Sequence, residues 1–235
     1  MVRINLKSIL WFLLRPWAYR DFFQKVYLAI KKRVSKPVTS GKWCESQTIT
    51  LNEFFLRIAD GYTYVNVDLP GTPKDPTAVL LYNLAEYLQA TRVIETGVAN
   101  GGSTSGLLKS LKNRNGKLIS TDIPSPDEWV QTGSLVPEEL KKYWQLIRKP
   151  DRIALPKVLK EMPQIDLCHY DSDKSYKGRM FAYPLLWNAL RKGGIFVSDD
   201  IVDNNGFKDF CETLGIEPLV VRFGDRYVGL IVKKN

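Results

Sequence analysis

Arg92-Val-Ile-Glu-Thr-Gly-Val-Ala-Asn-Gly-Gly-Ser-Thr104 is the stretch that decides the fold. Residues 92–96 form a short apolar run of the kind that builds a strand. A glycine-rich turn follows, and residues 103–112 read as a helix. Downstream the same alternation recurs. Strands are expected over 117–122, 165–171 and 194–200, with helices over 176–191 and 205–214. Residues 219–223 and 226–232 read as two closing strands, joined through a hairpin turn at Gly224-Asp225. Strand–helix alternation implies an α/β fold with a doubly wound, mostly parallel sheet.

Upstream, Thr50-Leu-Asn-Glu53 has the form of a capping box. It opens a helix carrying Leu51, Phe54, Phe55 and Ile58 on one face. After a Pro70-Gly71-Thr72-Pro73 loop, Asp75 as N-cap and Pro76 at the first helical position start another helix. Its inward face is Leu80, Leu81, Leu84 and Leu88. The chain thus divides into a basic amphipathic arm (1–40), a helical cap (41–90) and a Rossmann-like domain (91–235).

In such a sheet, ligands sit beyond the carboxyl ends of the strands. Acids fall there repeatedly: Glu95, Asp122, Asp171 and the pair Asp199-Asp200. The turn after the first of these strands is spaced G-x-x-x-G-G (Gly97, Gly101, Gly102) and leads to Ser103 at a helix start. A dinucleotide site favours G-x-G-x-x-G, so that pyrophosphate rests on the helix amides. Glu95, two residues before Gly97, repels pyrophosphate but suits a ligand with a cationic centre. S-adenosylmethionine is such a ligand. Asp122 is placed to hold a ribose diol.

Residues 92–104 resemble motif I of the class I S-adenosylmethionine-dependent methyltransferases, above all the bacterial methyltransferase family 24 group. Lys117-Leu-Ile-Ser-Thr-Asp-Ile-Pro124 is similar to that group's second motif. Leu135-Val-Pro-Glu-Glu-Leu140, Ile165-Asp-Leu167, Tyr170-Asp-Ser172 and Gly193-Gly-Ile-Phe-Val-Ser-Asp-Asp-Ile201 continue the likeness in order. The resemblance spans about residues 75–232. It implies a seven-stranded sheet with a final antiparallel strand, and adenine contact near Asp151.

Asp171, Asp199 and Asp200 stand at the ends of strands that the intervening helix makes neighbours. Carboxylates converging there repel one another unless a cation joins them, and hard oxygen ligands suit Mg²⁺. The spacing is similar to that of metal-dependent catechol-type and sugar O-methyltransferases. That likeness implies Lys174, three residues past Asp171, as the base, with Asp173 a second candidate. His169 is the sole histidine and lies on the same side of its strand as Asp171, as a third candidate base.

Net charge is +9 at pH 7, which on its own would suggest nucleic acid, but nine basic residues and one acid fall within residues 1–36. The remainder is nearly neutral, and no nucleic-acid partner is expected. The arm, rich in aromatic and basic residues at helical spacing, suits an anionic membrane surface or packing on the domain or a second copy. Its longest apolar run, residues 9–14, is far short of the ~20 residues that span a bilayer. Three scattered cysteines without a CxxC pair fit a reducing cytoplasm.

The reading is an O-methyltransferase for a small hydroxylated acceptor, a sugar or natural-product intermediate. The alternatives are a NAD-dependent oxidoreductase and a non-catalytic binding protein that keeps the fold.

Overall fold

The computed structural model describes residues 40–58, 61–69, 75–123 and 131–234. The basic arm and the Pro70–Pro73 loop read from sequence lie outside them.

An eight-stranded sheet organises the chain, in the order β1-β7-β8-β6-β5-β2-β3-β4. The strands are β1 (Thr48–Ile49), β2 (Arg92–Thr96), β3 (Lys117–Thr121), β4 (Trp144–Ile147), β5 (Ile165–Tyr170), β6 (Leu190–Ser198), β7 (Leu219–Phe223) and β8 (Arg226–Val232). The expected seven strands are therefore present, and two-residue β1 adds a parallel edge to β7. Among the described residues only β8 runs antiparallel, to both β6 and β7.

Residue alternation splits the core into two layers, because successive side chains point to opposite faces. Val93, Leu118, Leu167, Ile195 and Val197 face one layer, beneath α2 (Leu51–Ile58), α3 (Pro76–Tyr87) and α4 (Gly102–Leu111). Ile94, Ile119, Cys168, Tyr170 and Phe196 face the other, beneath α5 (Asp151–Glu161), α6 (Tyr176–Ala189) and α7 (Gly206–Leu214). Helix α1 (Ser40–Gln47) adds Cys44 to this second layer. Burial on both faces is what parallel strands require, and explains their near-continuous apolar runs.

Local signals act as read, with one change. Asp75 accepts the Thr77 amide at 3.0 Å and Pro76 opens α3. Thr50 Oγ1 accepts the Glu53 amide at 3.1 Å, but the Glu53 carboxylate pairs with Arg57 at 2.5 Å. The next turn of the helix thus takes the acid that a full capping box would use. At the far end of the sheet, buried Asp166 gathers the amides of Thr91 and Arg92, both at 2.9 Å, with Arg92 and Arg191.

Strand order reverses between β2 and β5: the chain runs outward through β3 and β4, then returns to the other side of β2. That reversal opens a crevice at the carboxyl ends of β2 and β5, the switch point where such sheets bind ligands.

Candidate active site

Four backbone hydrogen bonds step along this edge of the sheet. The amides of Asp122, Gly97, Asp171 and Asp199 donate to the carbonyls of Ile147, Thr121, Thr96 and Tyr170, at 3.1, 2.8, 2.8 and 3.0 Å. Each extends the parallel ladder by one residue beyond a strand, so the acids read from sequence line one rim.

The glycine-rich turn is shaped by left-handed backbone at Gly97 (φ 82°), Ala99 (φ 47°) and Gly101 (φ 91°). Asp122 Oδ2 accepts the amides of Val98 and Ala99 at 3.3 and 3.0 Å, which fixes the turn against β3. The glycines are needed for the chain itself. A Cβ at Gly97 would meet the backbone of Asp171, and one at Gly101 would meet Val136 Cγ2 at 2.7 Å. Residues 131–136 lie over the turn, with the amides of Gly133 and Leu135 donating to Ala99 and Asn100 at 2.9 and 2.8 Å.

Glu95, expected to touch cofactor, is fully buried beneath this turn. Its carboxylate accepts the hydroxyls of Ser103, Thr104 and Ser120 at 2.6, 2.7 and 2.8 Å. Ser103, also expected at the cofactor, therefore turns its hydroxyl inward. The physical reason is that Glu95 lies inside β2, two residues before Gly97. His169 pairs with Glu95 across the β2–β5 register, its Nδ1 3.6 Å away. It is 1% exposed and neither ring nitrogen has a hydrogen-bond partner. It lies inside β5, one residue before the carboxyl end of that strand.

Asp151, first residue of α5, sits at the other flank. Its carboxylate accepts hydroxyls from Thr121 at 3.0 Å and from Ser172, whose oxygen also lies 3.0 Å from the Thr96 hydroxyl. Burial pushes its pKa up to about 6, against the pull of the Ser172 and Thr121 hydroxyls.

At the third corner, Lys174 lies between two carboxylates, bonded to Asp171 and 3.2 Å from Asp200 Oδ2. Burial lowers its pKa, opposed by Asp200 and Asp199. Asp173 turns away: its Oδ1 accepts the Ser175 amide at 3.0 Å and its side chain lies against Gly178. It shapes the entry to α6. Asp199 also turns aside. Its Oδ1 accepts the Asp200 amide at 2.8 Å, and its Oδ2 lies 3.6 Å from Arg226. Asp171 and Asp200 therefore converge on Lys174, while Asp199 is turned toward Arg226. Among the described residues no three acids, histidines or cysteines are grouped to hold a metal ion. The expected three-carboxylate Mg²⁺ site does not fit this arrangement, because Lys174 and Arg226 take the positions of its counter-charge.

Three residues at this corner escaped the sequence reading. Arg226 opens β8, and because β8 is antiparallel its start lies beside the ends of the parallel strands. Arg226 also reaches Asp75 at 3.2 Å. Arg179, fully buried, donates to the carbonyls of Asp199 at 3.3 Å and Asp200 at 2.8 Å and to the hydroxyls of Tyr183 and Ser198. It holds Asp200 in a left-handed conformation (φ 49°). The antiparallel pairing is the available signal for Arg226; nothing in the spacing marks Arg179, and Asp75 is legible only as the N-cap of α3.

A parallel sheet with this strand order, one antiparallel strand and a glycine-rich turn at the switch point is the fold of the class I methyltransferases. Residues 94–201 match the family model described as a methyltransferase domain. Among solved structures, it is similar to an O-methyltransferase from Bacillus cereus in complex with S-adenosylhomocysteine. Identity there is 14%, over 81% of this chain and all of that one, with a TM-score of 0.55. It is also similar to the O-methyltransferase TomG from Streptomyces achromogenes, involved in tomaymycin synthesis and solved with S-adenosylmethionine. Here identity is 17%, over 92% of this chain and 99% of that one, with a TM-score of 0.56. Curated protein sequences give no match. No helix among the described residues is long and apolar enough to cross a membrane.

Proposed function

We propose that the protein transfers a methyl group from S-adenosylmethionine to a hydroxyl of a small molecule, such as a sugar or a natural-product intermediate. The observation that carries this reading is the glycine-rich turn at the switch point, with Asp122 clamped to it and the Glu95 carboxylate beneath the start of α4. Negative charge at a helix N-terminus offsets the attraction that would draw a pyrophosphate there. This disfavours a nicotinamide dinucleotide and suits a ligand whose charge includes a sulfonium and an ammonium. Asp122 would hold the ribose, and Asp151 the adenine amine. S-adenosylmethionine supplies an electrophilic methyl group.

The chain's own work is then to aim an acceptor oxygen along the methyl–sulfur axis and to take its proton. In-line positioning of this kind removes a large entropic part of the barrier. Lys174 is the residue we assign to the proton. At rest its ammonium lies between Asp171 and Asp200; once it has released a proton to solvent, the neutral amine accepts the hydroxyl proton and the ammonium is restored between the two carboxylates. Burial, which lowers its pKa, favours the neutral form that the step needs.

Calorimetric titration with S-adenosylhomocysteine and with NAD tests the cofactor. Binding of the first alone is expected, weakened at least about tenfold by Asp122→Ala, which removes a charge-assisted acceptor. Binding of NAD alone would overturn the reading. A panel of hydroxylated acceptors with methyl-labelled donor tests the transfer, and a protein that binds donor yet labels none of them would favour the binding-protein alternative.

A further inference from the structure

We infer that the carboxylate corner of this crevice is complete without a resident divalent ion, because Lys174, held between Asp171 and Asp200, is its built-in cation. The inference rests on reading this corner as the acceptor side of a methyltransferase. Three acids at adjoining strand ends need compensating charge, and a metal is one way to provide it. Here each acid already has a cationic neighbour. Asp171 and Asp200 share the Lys174 ammonium, and Asp199 faces Arg226.

The backbone holds this arrangement in place. Buried Arg179 binds the Asp200 carbonyl at 2.8 Å and keeps the residue left-handed. The Asp200 amide occupies Asp199 Oδ1, so that oxygen is spent within the turn. On the other side, Asn204 Nδ2 donates to the Lys174 carbonyl at 2.7 Å, which anchors the lysine's own backbone. A hard divalent ion requires several oxygens closing around one point. To be met here, that would require expelling an ammonium from between two carboxylates and swinging Asp199 away from Arg226.

Removing the ammonium should therefore create the metal affinity that the native chain lacks. Two carboxylates would be left facing one another without counter-charge, which is costly for partly buried groups. The test titrates the full chain with Mn²⁺ alone, reading free ion by its paramagnetic resonance signal, with S-adenosylhomocysteine calorimetry on the same samples. Native protein is expected to bind Mn²⁺ no better than millimolar. Lys174→Met should bind it at least about tenfold more tightly, and Lys174→Arg should remain weak. Micromolar binding by the native protein overturns the inference. So does an unchanged Lys174→Met that still binds S-adenosylhomocysteine. If that variant does not fold, Lys174→Gln, closer in shape and polarity, carries the same comparison. Failure of native protein to bind S-adenosylhomocysteine would count against the proposed function alone, since the Mn²⁺ comparison reads the corner independently.

Discussion

A Cβ on Gly97 would collide with the carbonyl oxygen of Asp171. The turn that begins the cofactor side of the crevice and the loop that begins its acceptor side are in backbone contact there. This contact ties the two halves of the site together. It exists because β2 and β5 are neighbours at the point where strand order reverses.

Gly97→Ala should consequently harm fold and site together. The new methyl meets backbone, which cannot rotate away, and the φ of 82° is itself strained for any side chain. We expect a loss of about 2–4 kcal/mol in denaturant unfolding, with weakened S-adenosylhomocysteine binding. A variant of native stability would mean that the β2–β5 crevice is looser than this contact requires.

Asp166 offers a stability test remote from the chemistry. Burial would raise its pKa, but the amides of Thr91 and Arg92 and the guanidinium groups of Arg92 and Arg191 outweigh it and lower the pKa. A depressed carboxylate contributes stability above its unfolded value, near 3.9, which is lost as pH falls through the folded value. Asp166→Asn should cost about 3 kcal/mol at neutral pH, because it leaves the surrounding donors short of a charged partner. The difference from native should shrink in acid. A pH-independent difference would assign the loss to shape rather than charge.

How much of this was legible follows from where the signals lie. Strands β2, β7 and β8 begin and end where their apolar runs do, since turn residues bound them. Strand β4 and helix α5 were not read. Trp144–Ile147 lies at the sheet edge with all four residues partly exposed, so it has no alternation to detect. Pro156 sits inside α5 and interrupts its pattern. The acids of the rim were legible because strand ends place them there. Their partners were not: Arg226 comes to Asp199 only through the antiparallel β8. Glu95 and His169 lie inside β2 and β5, one residue before the strand ends, and the Ser103, Thr104 and Ser120 hydroxyls that close over Glu95 are announced by no local spacing.

The basic arm makes a prediction in salt. With nine basic residues and one acid in residues 1–36, we propose that the full chain sediments with vesicles containing anionic lipid. Binding should fade as salt rises, because the Debye length is only about 10 Å at 0.1 M. A chain lacking residues 1–36 should stay in solution. Binding that ignores salt, or none, would assign the arm to packing on the domain or on a second copy.

Asp151 gives the pH test of the cofactor site. Its folded pKa is raised from 3.8 to about 6, first by burial. The sign for stability follows: its contribution is full below 3.8 and lost as pH rises through about 6, where the buried carboxyl must ionise. Ligand binding should run the other way. An ionised Asp151 accepts from the adenine amine that we assign to it, whereas the protonated form loses much of its capacity as acceptor. The free protein should therefore lose some thermal stability between about pH 4 and about pH 6, while its affinity for S-adenosylhomocysteine rises between about pH 5 and about pH 7. Asp151→Asn keeps the shape and removes the titration, so both slopes should flatten together. A stability slope that vanishes in the variant while the affinity slope persists would separate Asp151 from the adenine, and leave it a purely structural partner of Thr121 and Ser172.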